Sequence, residues 1–173
     1  MAGAVQAGML RALVEFGVEP DLVVGTSVGA LNGAVFAALA RDEVADRLEA
    51  LWLSSDTQSL FAAGTVRRLR TLASSGVAAH SSEPLRRVAS GVLGARRIED
   101  LPVRFTCCAA SIEDASEHWF EDGSAVDAVL ASSAVPGLLP PALVEEGVAE
   151  PRPVPRPALN PGLRPVDVGE ILG

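Results

Sequence analysis

Hydrophobic positions along the chain fall into segments with a helical repeat and shorter, continuous apolar segments. Residues 4–17 (AVQAGMLRALVEFG) have apolar side chains at near-helical spacing, and Gly17 follows them as a C-terminal cap would. Residues 21–24 (DLVV) are a short β-branched run typical of a buried strand, and residues 27–40 are small and apolar almost all round, as in a buried helix. The apolar positions of the first segment are Val5, Met9, Leu10, Leu13, Val14 and Phe16. The pattern predicts helix, strand, tight turn and helix in that order.

The middle of the chain continues this mixture of helices and strands. A helix is predicted over residues 43–53, and the Ser- and Arg-rich residues 54–90 are predicted to form one or two helices with loops. Residues 103–112 (VRFTCCAASI) predict a central strand, residues 117–122 (EHWFED) a paired or edge strand, and a further helix begins near Ser124. The fold class is therefore α/β.

The chain changes character near its end. Six of the twelve prolines fall within residues 151–165 (PRPVPRPALNPGLRP), where they remove backbone donors and prevent helix formation. The sequence therefore predicts two parts: an α/β domain over residues 1–148 and an extended or disordered, proline-rich tail over residues 149–173.

Composition limits the classes of function. The 173 residues are 49% hydrophobic, yet no apolar run approaches the roughly 18 to 20 residues of a membrane-spanning helix. No positively charged segment precedes an apolar one at the start, so we predict no signal peptide and a cytoplasmic location. A net charge of −8 argues against nucleic acid as a partner. The adjacent Cys107 and Cys108 predict two buried thiols rather than a strained disulfide, and no spacing typical of metal ligands occurs, so no metal or other cofactor is expected.

The motif Gly25-Thr26-Ser27-Val28-Gly29 carries the clearest chemical signal. A sharp turn from strand to helix would project the Ser27 hydroxyl, and glycines at 25 and 29 would allow strand and helix to approach closely. The following helix would direct its positive N-terminus at the site, with the Val28 N–H as an oxyanion donor. The alternative is a packing turn without catalytic function, because this spacing also occurs by chance in a sequence rich in Gly and Ser.

A histidine base for Ser27 is hard to find. The two histidines are His80, in a predicted surface loop, and His118, on a predicted strand where a lone histidine is usually structural. A Ser-His-Asp hydrolase is therefore not favoured. Nucleotide binding is not favoured either, because the stretch lacks both the G-x-G-x-x-G spacing and the lysine of a phosphate-binding loop.

Two separated stretches resemble the patatin-like phospholipases. GAVQAGMLRALVEFGVEPDLVVGTSVGALNGAVFAA (residues 3–38) is similar to the family's helix, strand and G-x-S-x-G segment, and DAVLASSAVPGLLPP (residues 127–141) to the segment before its catalytic Asp-Gly dipeptide. The resemblance covers roughly residues 3–141. It implies a three-layer α/β/α fold with a mainly parallel sheet, a lipid or acyl-ester substrate with transient contact to a membrane surface, and a Ser-Asp dyad without histidine or metal.

Matched position by position, the resemblance makes Ser27 the nucleophile and Gly25 and Gly29 its flanking glycines, while Asn32 and Gly33 fit the G-A-L-N-G continuation. The family's oxyanion loop of three glycines would precede Met1. That leaves Gly3 and the Val28 N–H as oxyanion donors. We therefore expect a domain that lacks its N-terminal strand and its C-terminal part, through truncation or a frameshift.

The resemblance leaves the base unassigned. No Asp-Gly dipeptide follows residue 141, and the only later aspartate is Asp167, in PVDVGE. Glu145 and Glu146 lie nearer the expected position, whereas Asp122, followed by Gly123, precedes the second motif and predicts a turn. Two hypotheses follow. The chain is a serine lipid acyl hydrolase with Asp167 as the candidate base, or it is a catalytically incomplete relative that binds a lipid or a partner. The oligomeric state is not predicted.

Overall fold

The computed structural model describes residues 2–60, 82–111 and 115–134, which form six α-helices and a three-stranded sheet. In chain order these are α1 (Ala2–Glu15), β1 (Leu22–Gly25), α2 (Val28–Ala38), α3 (Arg41–Leu53), α4 (Ser55–Leu60), α5 (Glu83–Leu93), a 3-10 helix (Ile98–Asp100), β2 (Arg104–Ala110), β3 (Glu117–Phe120) and α6 (Ala125–Ser132). The tail predicted over residues 149–173 lies outside the described residues, and so do His80, Glu145, Glu146 and Asp167.

The ends of two helices follow the local chemistry of the sequence. At the end of α1, Gly17 has φ 74°, the N–H of Gly17 donates to the carbonyl of Val14 and the N–H of Val18 to that of Leu13. This double hydrogen bond is the Schellman arrangement, which requires a residue tolerant of positive φ. At the start of α6, the Ser124 hydroxyl accepts the N–H of Asp127. The predicted cap at Gly17 and helix start near Ser124 are confirmed.

The sheet has the strand order β1-β2-β3 and is mixed. β1 runs parallel to β2, with Gly25 opposite Cys107, and β2 runs antiparallel to β3, with Cys107 opposite Phe120. The long crossover through α2 to α5 permits the parallel pair, whereas the short link over residues 111–116 allows only an antiparallel return. The prediction of a paired strand over residues 117–122 is confirmed for Glu117–Phe120, where the strand ends. The expected predominance of parallel pairing does not extend to the described strands, of which one pair is parallel and one antiparallel.

Helix α2 lies at the centre of the core. Its residues from Ala30 to Ala38 are all buried, and it packs on the sheet and on α1, α3, α5 and α6. A Cβ added at Gly33 would lie 3.0 Å from Val23 Cγ1 and 3.2 Å from Phe105 Cε2, so this glycine sets how closely the helix packs on β1 and β2. A helix with this many neighbours must be apolar on every side, as residues 27–40 predicted.

Helix α1 buries a different face from the one its large side chains suggest. The sequence predicts the helix correctly, but the largest apolar residues of its repeat face outward: Val5, Met9, Leu13 and Phe16 are 63, 64, 42 and 86% exposed. The buried side carries Gly3 and Ala7, with Leu10 and Val14 partly buried. Small residues at this contact let α1 pack against α3 and α2. Periodicity therefore identifies the helix but not which of its faces is buried.

Candidate active site

Ser27 lies in the turn that joins β1 to α2, which we call the elbow (residues 25–29). Its φ of 54° and ψ of −121° fall where a residue with a side chain is rarely found, at a cost of about 1 to 3 kcal/mol. Ser27 is the N-cap residue of α2, yet its hydroxyl makes no capping hydrogen bond. The side chain is half-buried and is not used to hold the helix end. The predicted strand, tight turn and helix are therefore present, with strain concentrated at the serine.

The two elbow glycines, Gly25 and Gly29, differ in how much space surrounds them. A Cβ at Gly25 would lie 2.5 Å from the Gly29 carbonyl oxygen and 2.7 Å from Ala30 Cα, so any side chain would collide with backbone. A Cβ at Gly29 would meet nothing among the described residues closer than Gln6 Nε2, at 4.0 Å. The prediction that close approach demands glycine is therefore confirmed for Gly25, whereas at Gly29 no described residue approaches closely enough to demand it. The difference arises because Gly25 lies beneath the first turn of α2, whereas Gly29 belongs to that turn.

The first turn of α2 presents the elbow with one unsatisfied donor. The carbonyl oxygen of Ser27 accepts the N–H groups of Ala30 and Leu31, at 2.9 and 3.2 Å, which closes the first turn. Within the described part of the chain, the N–H of Val28 has no acceptor, as expected for the first residue of a helix. The partial positive charge of the helix N-terminus adds to this free donor. An anion that forms beside Ser27 would therefore be stabilised here.

A buried amide connects the elbow helix to its neighbours. Asn32 is 1% exposed; its Nδ2 donates to the Gly3 carbonyl oxygen at 3.0 Å and to Gln6 Oε1 at 3.1 Å, while Trp52 Nε1 donates to its Oδ1 at 2.8 Å. A Cβ at Gly3 would lie 2.1 Å from the Trp52 ring and 2.7 Å from Val28 Cγ2. Asn32 and Gly3 therefore fix the start of α1 beside the first residue of α2.

We expect Asn32→Leu to lower the free energy of unfolding by about 2 to 4 kcal/mol, because it removes a side-chain donor to the buried Gly3 carbonyl and the acceptor of the Trp52 indole N–H. Urea unfolding followed by circular dichroism measures the change. Trp52→Phe removes the indole donor, so Asn32→Leu should cost at least about 1 kcal/mol less in the Phe background. Equal costs in the two backgrounds would contradict a role for this hydrogen bond.

No carboxylate or imidazole among the described residues makes a hydrogen bond to the Ser27 hydroxyl. His118 lies on β3 with its ring 4.6 Å, centroid to centroid, from that of Phe120 in an edge-on arrangement, and its buried Nε2 has no hydrogen-bond partner in this part of the chain. Asp122 precedes Gly123, whose φ of 89° and N–H bond to Glu99 Oε2 confirm the predicted turn.

Sequence reasoning missed Ser132 as a residue of this site. Its hydroxyl oxygen accepts the backbone N–H of Ser27 at 2.9 Å, although the two residues are 105 positions apart. The segment ASSAVPG resembles the family, but nothing in its sequence indicates that Ser132 contacts the backbone of Ser27.

Among the residues that the structure describes, no group of three or more His, Cys, Asp or Glu side chains could hold a metal ion.

The two cysteines differ in environment. Both are free thiols on β2, and as neighbours in a strand they point to opposite faces of the sheet. Burial raises the pKa of Cys107 to about 12, and electrostatic repulsion from the neighbouring Cys108, once that thiol is ionised, raises it further. The pKa of the half-buried Cys108 is also raised, first by desolvation and then by Glu117. The prediction of two thiols is confirmed, with only Cys107 fully buried.

These pKa shifts predict a thiol titration. At about pH 8, with a pKa of about 12, roughly one Cys107 in ten thousand is a thiolate, so a disulfide reagent such as DTNB should leave it unmodified in the folded protein and react slowly with Cys108. Both should react in denaturant, and Cys108→Ser should remove the native signal. Because folding raises the pKa of Cys107, the stability from its neutral thiol is lost as the pH rises above the ordinary thiol range toward 12. If native protein rapidly released two equivalents of the DTNB chromophore, both thiols would be reactive, which would contradict the predicted protection of Cys107.

Comparison with known proteins identifies the family. The patatin-like phospholipase sequence model matches residues 1–154, most of the chain and all of the described elements. The chain belongs to the patatin-like phospholipase family. The fold predicted from the resemblance is thereby confirmed, and the helices and mixed sheet are consistent with an incomplete α/β/α patatin fold.

Patatin-like relatives cover a wide range of organisms. An uncharacterized NTE family protein of Mycobacterium tuberculosis is 30% identical over 158 residues, or 88% of this chain. Patatin-like phospholipase domain-containing protein 7 of Mus musculus is 33% identical over 80% of this chain, and lysophospholipase nte1 of Aspergillus terreus is 28% identical over 84%. The chain spans 41% of the mycobacterial relative, 10% of the mouse protein and 9% of the fungal one. No described helix has the length and apolar character needed to span a bilayer.

Proposed function

We propose that this patatin-like chain hydrolyses acyl esters of lipids with Ser27 as the nucleophile. The observation that carries the proposal is the strained backbone of Ser27 at the N-terminus of α2, combined with a hydroxyl that takes no part in capping. A non-glycine residue in this conformation needs a compensating reason, and exposing a nucleophile above a helix N-terminus is one. The family and the name of the fungal relative, a lysophospholipase, support a lipid substrate.

In the proposed mechanism, Ser27 Oγ attacks the acyl carbonyl carbon while its proton passes to a carboxylate. The carbonyl oxygen becomes an oxyanion, which the Val28 N–H and the N-terminus of α2 stabilise. Collapse of this intermediate returns the proton to the leaving alcohol and leaves an acyl ester on Ser27. Water then attacks the acyl-enzyme by the same route, and the acid is released.

The remaining roles are assigned from the family pattern. Gly3 supplies a second oxyanion donor in this proposal, because its N–H is in the first turn of α1 and a Cβ added at Gly3 would lie 2.7 Å from Val28 Cγ2. Asp167 is the candidate base, and neither its position nor that of a substitute is among the described residues. We keep the cytoplasm as the proposed location, since two free thiols suit a reducing compartment.

A fluorophosphonate probe tests the proposal directly. These reagents react with activated serines, so the full chain should become covalently labelled, and peptide mass spectrometry should place the adduct on Ser27 rather than on another serine. Hydrolysis of p-nitrophenyl butyrate should accompany labelling. Absence of both in protein that unfolds cooperatively would reject catalysis by this chain.

That outcome would favour the second hypothesis, a catalytically incomplete patatin-like protein that binds lipid. The observation in its favour is the lack, among the described residues, of any acid or imidazole bonded to Ser27. Binding of the chain to phosphatidylcholine vesicles in a flotation assay, without labelling or ester turnover, would support it.

A further inference from the structure

Ser132 connects the elbow to the sheet through a chain of two hydrogen bonds. The backbone N–H of Ser27 donates to Ser132 Oγ at 2.9 Å, and Ser132 Oγ donates to the carbonyl oxygen of Cys108 at 2.6 Å. Ser132 is the last residue of α6 and is 7% exposed, so water does not compete freely for these bonds. The hydroxyl therefore joins three elements: the elbow, α6 and β2.

The direction of these bonds is fixed by what each group can donate. A serine hydroxyl has one proton, and the Cys108 carbonyl can only accept it. A lone pair of the Ser132 oxygen therefore accepts the Ser27 N–H. Bonds in such a chain polarise one another, so each is stronger than it would be alone.

The other end of this chain of hydrogen bonds lies in the sheet. Cys108 belongs to β2, the middle strand of the described sheet, and pairs with Trp119 of β3, one residue after the pairing with β1 ends at Cys107. The elbow, by contrast, is strained at Ser27 and would relax if released. The hydrogen bond that the Ser27 nitrogen donates to Ser132 Oγ, which is itself bonded to the middle strand, is placed where it restrains that relaxation most directly.

We infer that Ser132 is a positioning residue for the nucleophile, an inference that rests on the proposed function of Ser27. It acts through the backbone of Ser27: its hydroxyl accepts the Ser27 N–H and donates to the Cys108 carbonyl, and in the described part of the chain it makes no hydrogen bond to the Ser27 hydroxyl. Because the Ser27 N–H is committed to Ser132, it is not available to an oxyanion, and the elbow donor for that role is the Val28 N–H. Removing the Ser132 hydroxyl should therefore disturb the orientation of Ser27 more than the binding of substrate.

The test compares Ser132→Ala with Ser132→Thr, which keeps the hydroxyl, and with Ser133→Ala. Ser133 is the matched control, since it is the next residue, is 8% exposed, and its side chain makes no hydrogen bond to the elbow in the described part of the chain. Each full-length variant is assayed for its rate of labelling by the fluorophosphonate probe, for kcat and KM with p-nitrophenyl butyrate, and for amide hydrogen exchange of the peptide containing Ser27.

For Ser132→Ala we expect labelling and kcat to fall about 10- to 100-fold with KM changed less than about threefold, because a nucleophile displaced by a fraction of an ångström loses rate rather than binding. Amide exchange in the elbow should quicken about tenfold or more, while exchange in α3 stays unchanged. For Ser132→Thr, labelling and kcat should lie within about threefold of the wild-type values. Ser133→Ala should match the wild type in both.

Wild-type labelling and wild-type elbow exchange in Ser132→Ala would overturn the inference, and so would equal losses in Ser133→Ala. Hydrogen exchange needs no activity, which separates the two proposals. If the wild type is never labelled, faster elbow exchange in Ser132→Ala still supports the restraint, whereas unchanged exchange rejects it. If Ser132→Ala does not unfold cooperatively, Ser132→Cys replaces it in the same comparison, because its weaker acceptor should produce the same changes to a smaller extent.

Discussion

Ser27→Ala should abolish labelling by the fluorophosphonate probe and lower the turnover of p-nitrophenyl butyrate by about a thousandfold or more, to the background rate. The substitution removes the attacking oxygen and leaves the backbone bond from residue 27 to Ser132 in place. Stability should change by less than about 1 kcal/mol, since the hydroxyl makes no capping bond. The loss of activity can therefore be read as chemistry rather than unfolding.

Ser90→Ala is the control for Ser27→Ala. Ser90 lies on the exposed side of α5, outside the elbow, and should label and turn over like the wild type. Full activity in Ser27→Ala would exclude Ser27 as the nucleophile, and a labelled peptide elsewhere would then identify the residue responsible.

Gly25→Ala should lower the free energy of unfolding by about 3 kcal/mol or more, because the new methyl group would overlap backbone atoms that cannot turn away. The contacts are the carbonyl oxygen of Gly29, at 2.5 Å, and the nitrogen of Ala30, at 2.7 Å. Relief would require α2 to move away from β1, which would also loosen the packing at Gly33. Urea unfolding measures the cost, and ester turnover should fall with it.

Gly29→Ala provides the matched comparison in the same motif. Its Cβ would lie 4.0 Å from the nearest described atom, and alanine is the better helix former by about 0.5 to 1 kcal/mol. Stability should be unchanged or slightly raised. Equal destabilisation by the two substitutions would show that Gly29 is confined by something beyond its described neighbours.

Much of the fold could be predicted from local features. The apolar run before Gly25, the all-apolar segment after Ser27, the cap at Gly17 and the helix start at Ser124 are each determined by residues close in sequence. Such signals rest on backbone conformation and short-range hydrogen bonds, which nearby side chains control. The same features place Ser27 at a turn without any knowledge of the remaining chain.

Other parts of the site could not be predicted because their partners are distant. Asn32 fits a motif, but its contacts with Gly3 and Trp52 depend on where α1 and α3 pack. The outward direction of the large residues of α1 likewise follows from packing through Gly3 and Ala7 rather than from its periodicity.

The sequence alone determined the order of helices and strands, the sharp turn at Ser27 and the resemblance to patatin-like phospholipases. Each of these depends on neighbouring residues or on motif spacing. Only the tertiary structure decided that close packing requires glycine at 25, whereas no described residue requires it at 29, and that Ser132 holds the Ser27 nitrogen from 105 positions away. Both facts depend on distances between elements, which arise when α2 and α6 pack against the sheet and which local sequence does not encode.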